Sequence, residues 1–397
     1  MSISYASNMS RDASSRLRVI VFGYIVRGPL GGLVWHHLQY VMGLRDLGHD
    51  VYFVEDSNDF PSCYNPTTYT TGTDPTYGLD FAKRTFDELG LGARWAYYDA
   101  HRSCWLGPAA DHILDVCATT DLFLHMSGKN RLRSWFEDIP TKVLIDTDPV
   151  FTQVRHLTEP EAHSNARQHD CFFSFGENIE TGGSFVPNDG FLWRRTRQPI
   201  VLDAWPLTVG PVDGKFTTVM SWDSYVAREH NRVRYGMKSD SFEPYLDLPQ
   251  DAGGIFELAL GGASVPRELF RKKDWILRNP LEPTRTPWTY RRYIRNSKAE
   301  FSVAKHGYVA THSGWFSERS AAYLASGRPV VIQDTGFSDW LETGAGVLAF
   351  STPDEALAAI EDVNRRYEFH CKAARSVAEQ YFDARKVIRR LLCDVGI

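Results

Sequence analysis

The stretch that decides the fold is Phe301-Ser-Val-Ala-Lys-His-Gly-Tyr-Val-Ala-Thr-His-Ser-Gly-Trp-Phe-Ser-Glu-Arg-Ser-Ala-Ala-Tyr-Leu-Ala-Ser-Gly-Arg-Pro-Val-Val-Ile-Gln-Asp-Thr-Gly336. Its pattern predicts a strand over Phe301–Ala304, a loop of small residues, a helix over Ser317–Ser326 closed by a glycine, and a strand over Pro329–Ile332. The free N–H groups and positive dipole end of a helix start can hold a diphosphate without a metal ion. The stretch therefore predicts an α/β unit with an anion site at Ser317.

The N-terminal part of the chain shows the same alternation. Leu17–Phe22 is a continuous apolar run typical of a buried parallel strand. A glycine-containing loop, a helix over Leu33–Leu47 and a second strand over His49–Glu55 follow, which together form a βαβ unit. Further strands are predicted at Leu122–His125, Lys142–Asp146, Cys171–Phe175, Phe216–Ser221 and Phe256–Leu260, and further helices at Trp288–Asn296, from Pro353, and at Arg375–Leu392.

Proline and glycine punctuate residues 198–214, which we interpret as an interdomain hinge. The α/β alternation restarts after this segment, so the sequence predicts two halves of similar size. We place the first domain at 1–208, the second at 209–375, and a C-terminal helix at 376–397.

Composition excludes several classes of protein. The 397 residues carry 44 Lys and Arg against 49 Asp and Glu, a net charge of -5. Proteins that bind nucleic acid usually carry a basic excess, so we expect no nucleic-acid partner. Six scattered cysteines without a C-x-x-C pair predict reduced thiols and no zinc site. No apolar run approaches 18 residues and no signal-peptide pattern is present, which predicts a cytoplasmic protein without an integral membrane segment.

Two motifs resemble the GT-B superfamily of nucleotide-sugar glycosyltransferases, and in particular a poorly characterised bacterial branch similar to families 1 and 4. One is Ala325-Ser-Gly-Arg-Pro-Val-Val331, and the other pairs Gly31-Gly32 with Arg45-Asp-Leu-Gly-His-Asp-Val51. The resemblance implies two Rossmann-like domains facing across a cleft, with the last helix packing back on the first domain. It also implies transfer of a sugar from a nucleoside diphosphate to an acceptor hydroxyl, without a metal or any cofactor beyond the donor co-substrate.

The donor would bind mainly to the C-terminal half. Ser317 suits the helix N-cap, Glu318 can accept hydrogen bonds from ribose hydroxyls, and Arg319 can pair with phosphate. The full set of candidate donor residues is Gly31, Gly32, Lys238, Lys305, His306, Gly314, Ser317, Glu318, Arg319, Ser320, Asp334, Thr335 and Gly336. Purely structural roles stay open as alternatives, because a glutamate such as Glu318 suits any helix start, an aspartate such as Asp334 suits any turn, and a lysine suits any solvated loop. Thr286, Pro287 and Trp288 are candidates for the wall of the nucleotide base.

The acceptor would approach from the N-terminal half, where its hydroxyl needs a general base. His36, His37 and His125 are candidates because histidine titrates near neutrality, although a lone histidine is more often structural. Asp148 is a further candidate. Together with Asp146 it looks like a metal pair, but we treat both as cleft residues or alternative bases. The acceptor itself, whether a natural product, a polysaccharide or a lipid, is left open.

The sequence departs from the superfamily at one point. Many retaining members carry two glutamates eight positions apart, where this chain has Gly314 and Ala322. Retaining and inverting chemistry both stay open as a result. Two other readings also stay open, namely a sugar-nucleotide epimerase or hydrolase, and a catalytically silent partner protein of the same fold.

Overall fold

The computed structural model describes residues 16–397, so the first fifteen residues of the predicted N-terminal domain lie outside the described part. The N-terminal half contains the strands β1 Arg18–Phe22, β2 Asp50–Asp56, β3 Cys63–Asn65, β4 Thr70–Gly72, β5 Trp95–Asp99, β6 Cys104–Leu106, β7 Leu122–Met126, β8 Thr141–Asp146, β9 Cys171–Ser174 and β10 Trp193–Arg195. Its helices are α1 Gly31–Asp46, α2 Thr76–Glu88, α3 Ile113–Ala118, α4 Phe151–Thr158, α5 Pro160–Ala166 and α6 Glu177–Thr181.

The C-terminal half contains the strands β11 Phe216–Ser221, β12 Arg228–His230, β13 Val233–Tyr235, β14 Phe256–Gly261, β15 Ile276–Arg278, β16 Ala299–Ser302, β17 Val330–Gln333 and β18 Val347–Phe350. Its helices are α7 Leu248–Ala252, α8 Arg267–Lys272, α9 Leu281–Thr284, α10 Pro287–Arg295, α11 His306–Ala310, α12 Glu318–Ala325, α13 Pro353–Arg365, α14 Tyr367–Val377 and α15 Ala384–Asp394.

Each half is built on one main sheet. The first has the strand order β10-β9-β8-β7-β1-β2-β5-β6, in which only β6 runs antiparallel to its neighbour, and the second has the order β15-β14-β11-β16-β17-β18, in which all pairs are parallel. Helices cover the sheets, so the central strands are buried on both faces and read as continuous apolar runs. In a parallel sheet the loops after the strands gather at the carboxyl edge, where ligands bind.

The C-terminal segment differs from the single helix expected over Arg375–Leu392. A π-helical turn at Ala378–Phe382 and the extended residue Asp383 separate α14 from α15. Asp383 pairs with Ile200 in a β-bridge, and its carboxylate caps the amide of Arg385. The tertiary contact with residue 200 breaks a run that local propensity alone would continue.

The predicted hinge is anchored along much of its length. Trp205 is fully buried, and Arg375 donates to its carbonyl oxygen at 3.0 Å. Arg328, from the Gly-Arg-Pro motif, is also fully buried and donates to the carbonyl oxygen of Thr208 at 2.9 Å. The motif arginine therefore holds the connection between the two halves.

The two halves are packed directly against each other. One apolar cluster joins core residues of both, including Trp35 from α1, Tyr290 from α10 and Phe316 before α12. The Trp35 indole donates to the carbonyl oxygen of Pro287 at 2.7 Å. The helix α15 lies against α1, where a Cβ on Gly43 would meet the Ile388 side chain at 2.5 Å.

The close approach of α1 to α10 depends on Gly31. A Cβ atom at this position would lie 2.3 Å from the carbonyl oxygen of Thr286, a contact that only a backbone shift can relieve. We expect Gly31→Ala to lower the free energy of unfolding by about 1–3 kcal/mol, the cost of overpacking. Urea denaturation measures the change. Gly254→Ala, whose Cβ meets no atom within 4 Å, is the control and should stay within about 0.5 kcal/mol of wild type; equal stability of both variants would contradict the packing argument.

Candidate functional site

The carboxyl edges of the two sheets meet at an interdomain cleft, where Asp148 is the central contact. This residue follows β8, and its carboxylate accepts a hydrogen bond from Lys305 Nζ, after β16, at 2.8 Å. The hydroxyl groups of Tyr225 and Tyr308, both from the C-terminal half, also donate to it. Burial alone would raise the pKa of Asp148, but the Lys305 charge and the three hydrogen bonds bring it below its ordinary value. The carboxylate is therefore a charged bridge between the halves.

The start of α12 has the N-cap that the sequence predicts. Ser317 is the N-cap, and its hydroxyl accepts a hydrogen bond from the Arg319 amide at 3.2 Å. Within residues 16–397, no protein acceptor is bound to the main-chain amides of Glu318 and Ser320. Free amides and the dipole at a helix start favour an anion, and binding of one here stays a prediction.

Glu318 is the titratable side chain that faces the cleft from α12. Its carboxylate has no hydrogen-bond or ion-pair partner among the described residues. Its charge acts on groups of both halves. Burial lowers the pKa of His36, and the Glu318 charge opposes this shift. Burial raises the pKa of Tyr24 and of Tyr290, and the Glu318 charge adds to both shifts. Glu318 is therefore placed to accept hydrogen bonds from a ligand between the halves.

Arg319 and Lys238, expected to contact a diphosphate, are held by protein acceptors instead. Arg319 forms a buried ion pair with Glu300 at 2.6 Å and donates to Ser302 and to the carbonyl oxygen of Val219. Lys238 donates to the carbonyl oxygen of Val303, and burial lowers its pKa well below the ordinary value. Both cations lie behind the helix start, so direct contact with phosphate stays a prediction.

The loops after β16 and β17 dock on the N-terminal half. Asp334 accepts a hydrogen bond from the Gly336 amide at 2.8 Å and one from Ser338, which is the turn role weighed as its alternative. Thr335 donates to the carbonyl oxygen of Trp315. His306 accepts from the Gly236 amide at 3.2 Å. These residues shape the loops, and sugar contacts by them stay a prediction.

Asn178 joins these loops to the N-terminal half. No sequence pattern predicts this role. Its amide donates to the carbonyl oxygen of Gly336 at 2.9 Å and to that of His312 at 3.2 Å. A Cβ on Gly314 would come within 3 Å of Asn178, and Gly314 has a φ of +75°, so both space and conformation require glycine there.

Of the three candidate histidines, only His36 is near Glu318. His37 is fully enclosed, both of its ring nitrogens lack a partner, and burial lowers its pKa well below 6.5. His125 is hydrogen-bonded to His169 at 3.0 Å within the N-terminal half, and burial lowers its pKa in the same way. Burial also lowers the pKa of His36, so its ring is neutral at neutral pH but is a weaker base than an exposed imidazole.

Gly31 and Gly32 lie at the domain boundary, where they make room for α10. A Cβ on Gly32 would meet the Tyr290 ring at 2.8 Å. This packing accounts for both glycines, and contact with a donor stays a prediction.

Two cavities lie along the boundary between the two halves. One, of about 650 Å³, is lined by residues that include the predicted base wall Thr286, Pro287 and Trp288. The second, of about 640 Å³, lies at the carboxyl ends of β14 and β15 and shares Tyr69, Asn279 and Leu281 with the first. The second cavity includes Gly261 and Gly262, a strand end followed by glycine, which is a signal that the sequence carries.

The described residues contain no group of three or more His, Cys, Asp or Glu side chains able to hold a metal ion. Asp146, paired with Asp148 in the sequence, is instead bound by Thr152, Gln153 and Ser174. Over the same residues, no helix has the length and apolar character needed to cross a bilayer.

The Arg319–Glu300 pair supports a stability prediction. Removing one partner of a buried ion pair leaves the other charge uncompensated, so we expect Arg319→Met to lower the free energy of unfolding by about 3–5 kcal/mol. The double variant Arg319→Met with Glu300→Leu should recover a large part of that loss, because no buried charge is left unpaired. Urea denaturation of wild type, of the single variants Arg319→Met and Glu300→Leu, and of the double variant gives the coupling. Full stability of Arg319→Met alone would contradict a structural role for the pair.

The buried histidines make stability depend on pH. Burial lowers the pKa of His169 from 6.5 to about 4, so the unfolded chain binds its proton more readily than the folded protein. The stability is fully present above pH 6.5 and is lost as the pH falls towards 4, by about 2 kcal/mol between pH 7 and 5 for this one group. We expect His169→Gln to reduce the loss measured by urea denaturation, whereas the half-exposed control His163→Gln should not. An unchanged loss in His169→Gln would contradict this assignment.

Known structures have the same architecture. An alpha-glucosyltransferase in complex with UDP-glucose and DNA containing an abasic site superimposes with a TM-score of 0.59 at 10% identity, over 96% of this chain and 100% of that chain. Anabaena Alr3699/HepE in complex with UDP-glucose gives 0.56 at 12% identity, over 95% and 99%. AviGT4, a glycosyltransferase involved in avilamycin A biosynthesis, gives 0.54 at 13% identity, over 96% and 97%.

No family model and no curated protein matches the sequence. The resemblance is therefore one of fold, and it extends over nearly the whole chain. It confirms the predicted class: the protein has the α/β GT-B fold of these glycosyltransferases, with two halves on either side of a cleft.

Proposed function

We propose that the protein transfers a sugar from a nucleoside diphosphate sugar to an acceptor hydroxyl. In this reaction the acceptor oxygen bonds to the anomeric carbon, the bond from that carbon to the diphosphate oxygen breaks, and the acceptor proton passes to a base. The observation that carries the proposal is the start of α12 in a GT-B fold, where two main-chain amides and the Glu318 carboxylate have no partner among the described residues. The solved structures of this fold include enzymes in complex with UDP or UDP-glucose, which supports a nucleotide-sugar donor.

The donor would lie along the C-terminal edge of the cleft. Its diphosphate would rest on the amides at the start of α12, where the helix dipole favours negative charge. Its ribose hydroxyls would donate to Glu318. The cavity at the ends of β14 and β15 would take the base. Arg319 is paired with Glu300 and burial lowers the pKa of Lys238, so the amides and the dipole of α12 would carry most of the stabilisation of the leaving group.

His36 is the best placed candidate for the general base. It lies in α1 on the N-terminal side of the cleft and within the field of Glu318, whose negative charge would stabilise the imidazolium formed when the proton arrives. Asp148 is a weaker base, because Lys305 and two tyrosine hydroxyls already bind its carboxylate and its pKa is low. His37 is fully enclosed, and His125 is hydrogen-bonded to His169.

We further propose that transfer needs neither a metal ion nor a cofactor other than the donor, and that it takes place in the cytoplasm. The six cysteines of the chain are all unpaired in the structure, which fits a reducing compartment. The amides and the dipole at the start of α12 would take the place of a cation. Turnover should therefore persist in the presence of a chelator.

A glutamine substitution, which replaces the carboxylate by a side-chain amide, tests the role of Glu318. Glu318→Gln keeps the shape but loses the charge that strengthens hydrogen bonds from ribose, worth about 1.5–3 kcal/mol, so we expect UDP to bind about 10- to 100-fold more weakly. Isothermal calorimetry with UDP measures the change. The exposed Glu342→Gln on the same half is the control and should bind UDP as wild type does.

UDP release from UDP-glucose in the presence of acceptor mixtures tests the reaction itself. Free glucose without a glycosylated product would favour a hydrolase, and an epimerised sugar would favour an epimerase. If no nucleoside diphosphate binds, so that UDP and its purine counterparts all leave the melting temperature unchanged, the transferase proposal fails and a silent partner protein of the same fold is favoured.

A further inference from the structure

Two cations of the N-terminal half stand beside the cleft without a counter-ion. Within the described residues, neither Lys129, after β7, nor Arg155, in α4, has a carboxylate within 4 Å. Arg155 has a buried Nε atom without an acceptor, and its one protein contact is a 3.5 Å hydrogen bond to the carbonyl oxygen of Gly128. A buried guanidinium nitrogen is normally paired, so Arg155 lacks an expected partner, and Lys129, part of whose surface is open to solvent, adds a second positive charge beside it.

The other charges around these two cations are already bound. Lys305 pairs with Asp148 at 2.8 Å, and Arg228 from the β12–β13 hairpin pairs with Glu159 at 2.7 Å. The buried Asp146 accepts hydrogen bonds from three side chains. Of the remaining carboxylates near the two cations, Glu161 lies exposed at the outer rim. The unpaired positive charge therefore falls on Lys129 and Arg155.

The crowding of cations is visible at the Tyr225 ring. Lys305 Nζ lies 4.5 Å from the centre of this ring, and Lys129 Nζ lies 6.0 Å from it. Burial, together with the charges of Arg155, Lys305 and Arg228, lowers the pKa of Lys129 to about 8, against an opposing effect of Asp148. Bringing a negative group next to Lys129 would relieve this repulsion.

A cavity opens at the same place. It has a volume of about 220 Å³, and its wall includes Arg155 together with Gly128 and Asn130, the two neighbours of Lys129 in the chain. Its volume is below the range of about 300–1,000 Å³ typical of drug-sized ligands, so it suits one small charged group of a larger molecule. Every residue that lines the cavity belongs to the N-terminal half, which receives the acceptor under the proposed function, and Glu159 and Glu161 are among them.

We infer that this cavity takes an anionic group, a phosphate or a carboxylate, carried by the acceptor. Arg155 would bind it through its planar guanidinium, and Lys129 would supply a second charge. The inference rests on the proposed function for the identity of the ligand as acceptor. It narrows the acceptor from any hydroxyl compound to one that bears a negative charge near the reacting hydroxyl.

The binding test uses inorganic phosphate on the full chain with UDP present at saturation, so that the donor site is filled. We expect phosphate to raise the melting temperature of wild type, and Arg155→Gln and Lys129→Gln to need about tenfold more phosphate for the same rise. Lys272→Gln, an exposed lysine on the other half, is the control and should respond as wild type does. Equal responses of all four proteins, or no response of wild type, would overturn the inference.

A second measurement separates a binding role from a structural one. In a buffer free of multivalent anions, Lys129→Gln should melt at or above the wild-type temperature, because the change removes an unpaired cation. A clear drop in melting temperature under that condition would show that Lys129 stabilises the fold itself, and would overturn the inference.

Transfer assays then identify the anion. UDP release from UDP-glucose is compared with glucose, glucose 6-phosphate and glucuronate as acceptors, and stimulation by one charged sugar and not the other assigns phosphate or carboxylate. The phosphate response of the Arg155 variant does not depend on turnover, so it stays informative if transfer fails. Binding of a short DNA duplex that both variants lose, without any effect of phosphate, would replace the small anion by a nucleic-acid backbone and overturn the inference.

Discussion

The buried ion pair between Arg319 and Glu300 fixes the element on which the site depends. Arg319 is the second residue of α12, and its guanidinium reaches back to β16 through Glu300 and Ser302 and to β11 through the Val219 carbonyl oxygen. With its second residue tied to two central strands, the helix can present only its first amides and Glu318 to the cleft. The arginine that the sequence suggests as a phosphate ligand thus serves to aim the helix start.

The same stretch of chain also sets the relation between the halves. Past the end of α12, Arg328 binds the carbonyl oxygen of Thr208 in the connecting segment, and before its start the loop around Gly314 contacts Asn178. Asp148 and Lys305 add a charged contact beside the opening. These polar contacts add to the apolar packing of α1 on α10 in holding the two halves against each other.

Local sequence patterns predict the alternation of strands and helices, the N-cap Ser317 and the organisation in two halves. Contacts between residues that are far apart in the sequence cannot be predicted in this way. Asp148 and Lys305 are 157 residues apart, and Asn178 and Gly336 are 158 apart. No periodicity announces such pairs, because each member obeys only the pattern of its own loop. The burial of His37 and His125 could not be predicted for the same reason, because the apolar side chains that surround each of them come from other parts of the chain.

A crystal structure of the protein with UDP tests the central claim most directly. Diphosphate oxygens should lie within hydrogen-bond distance of the main-chain nitrogens of Glu318 and Ser320, and a ribose hydroxyl should contact the Glu318 carboxylate. UDP bound elsewhere, with the start of α12 still unliganded, would contradict the account.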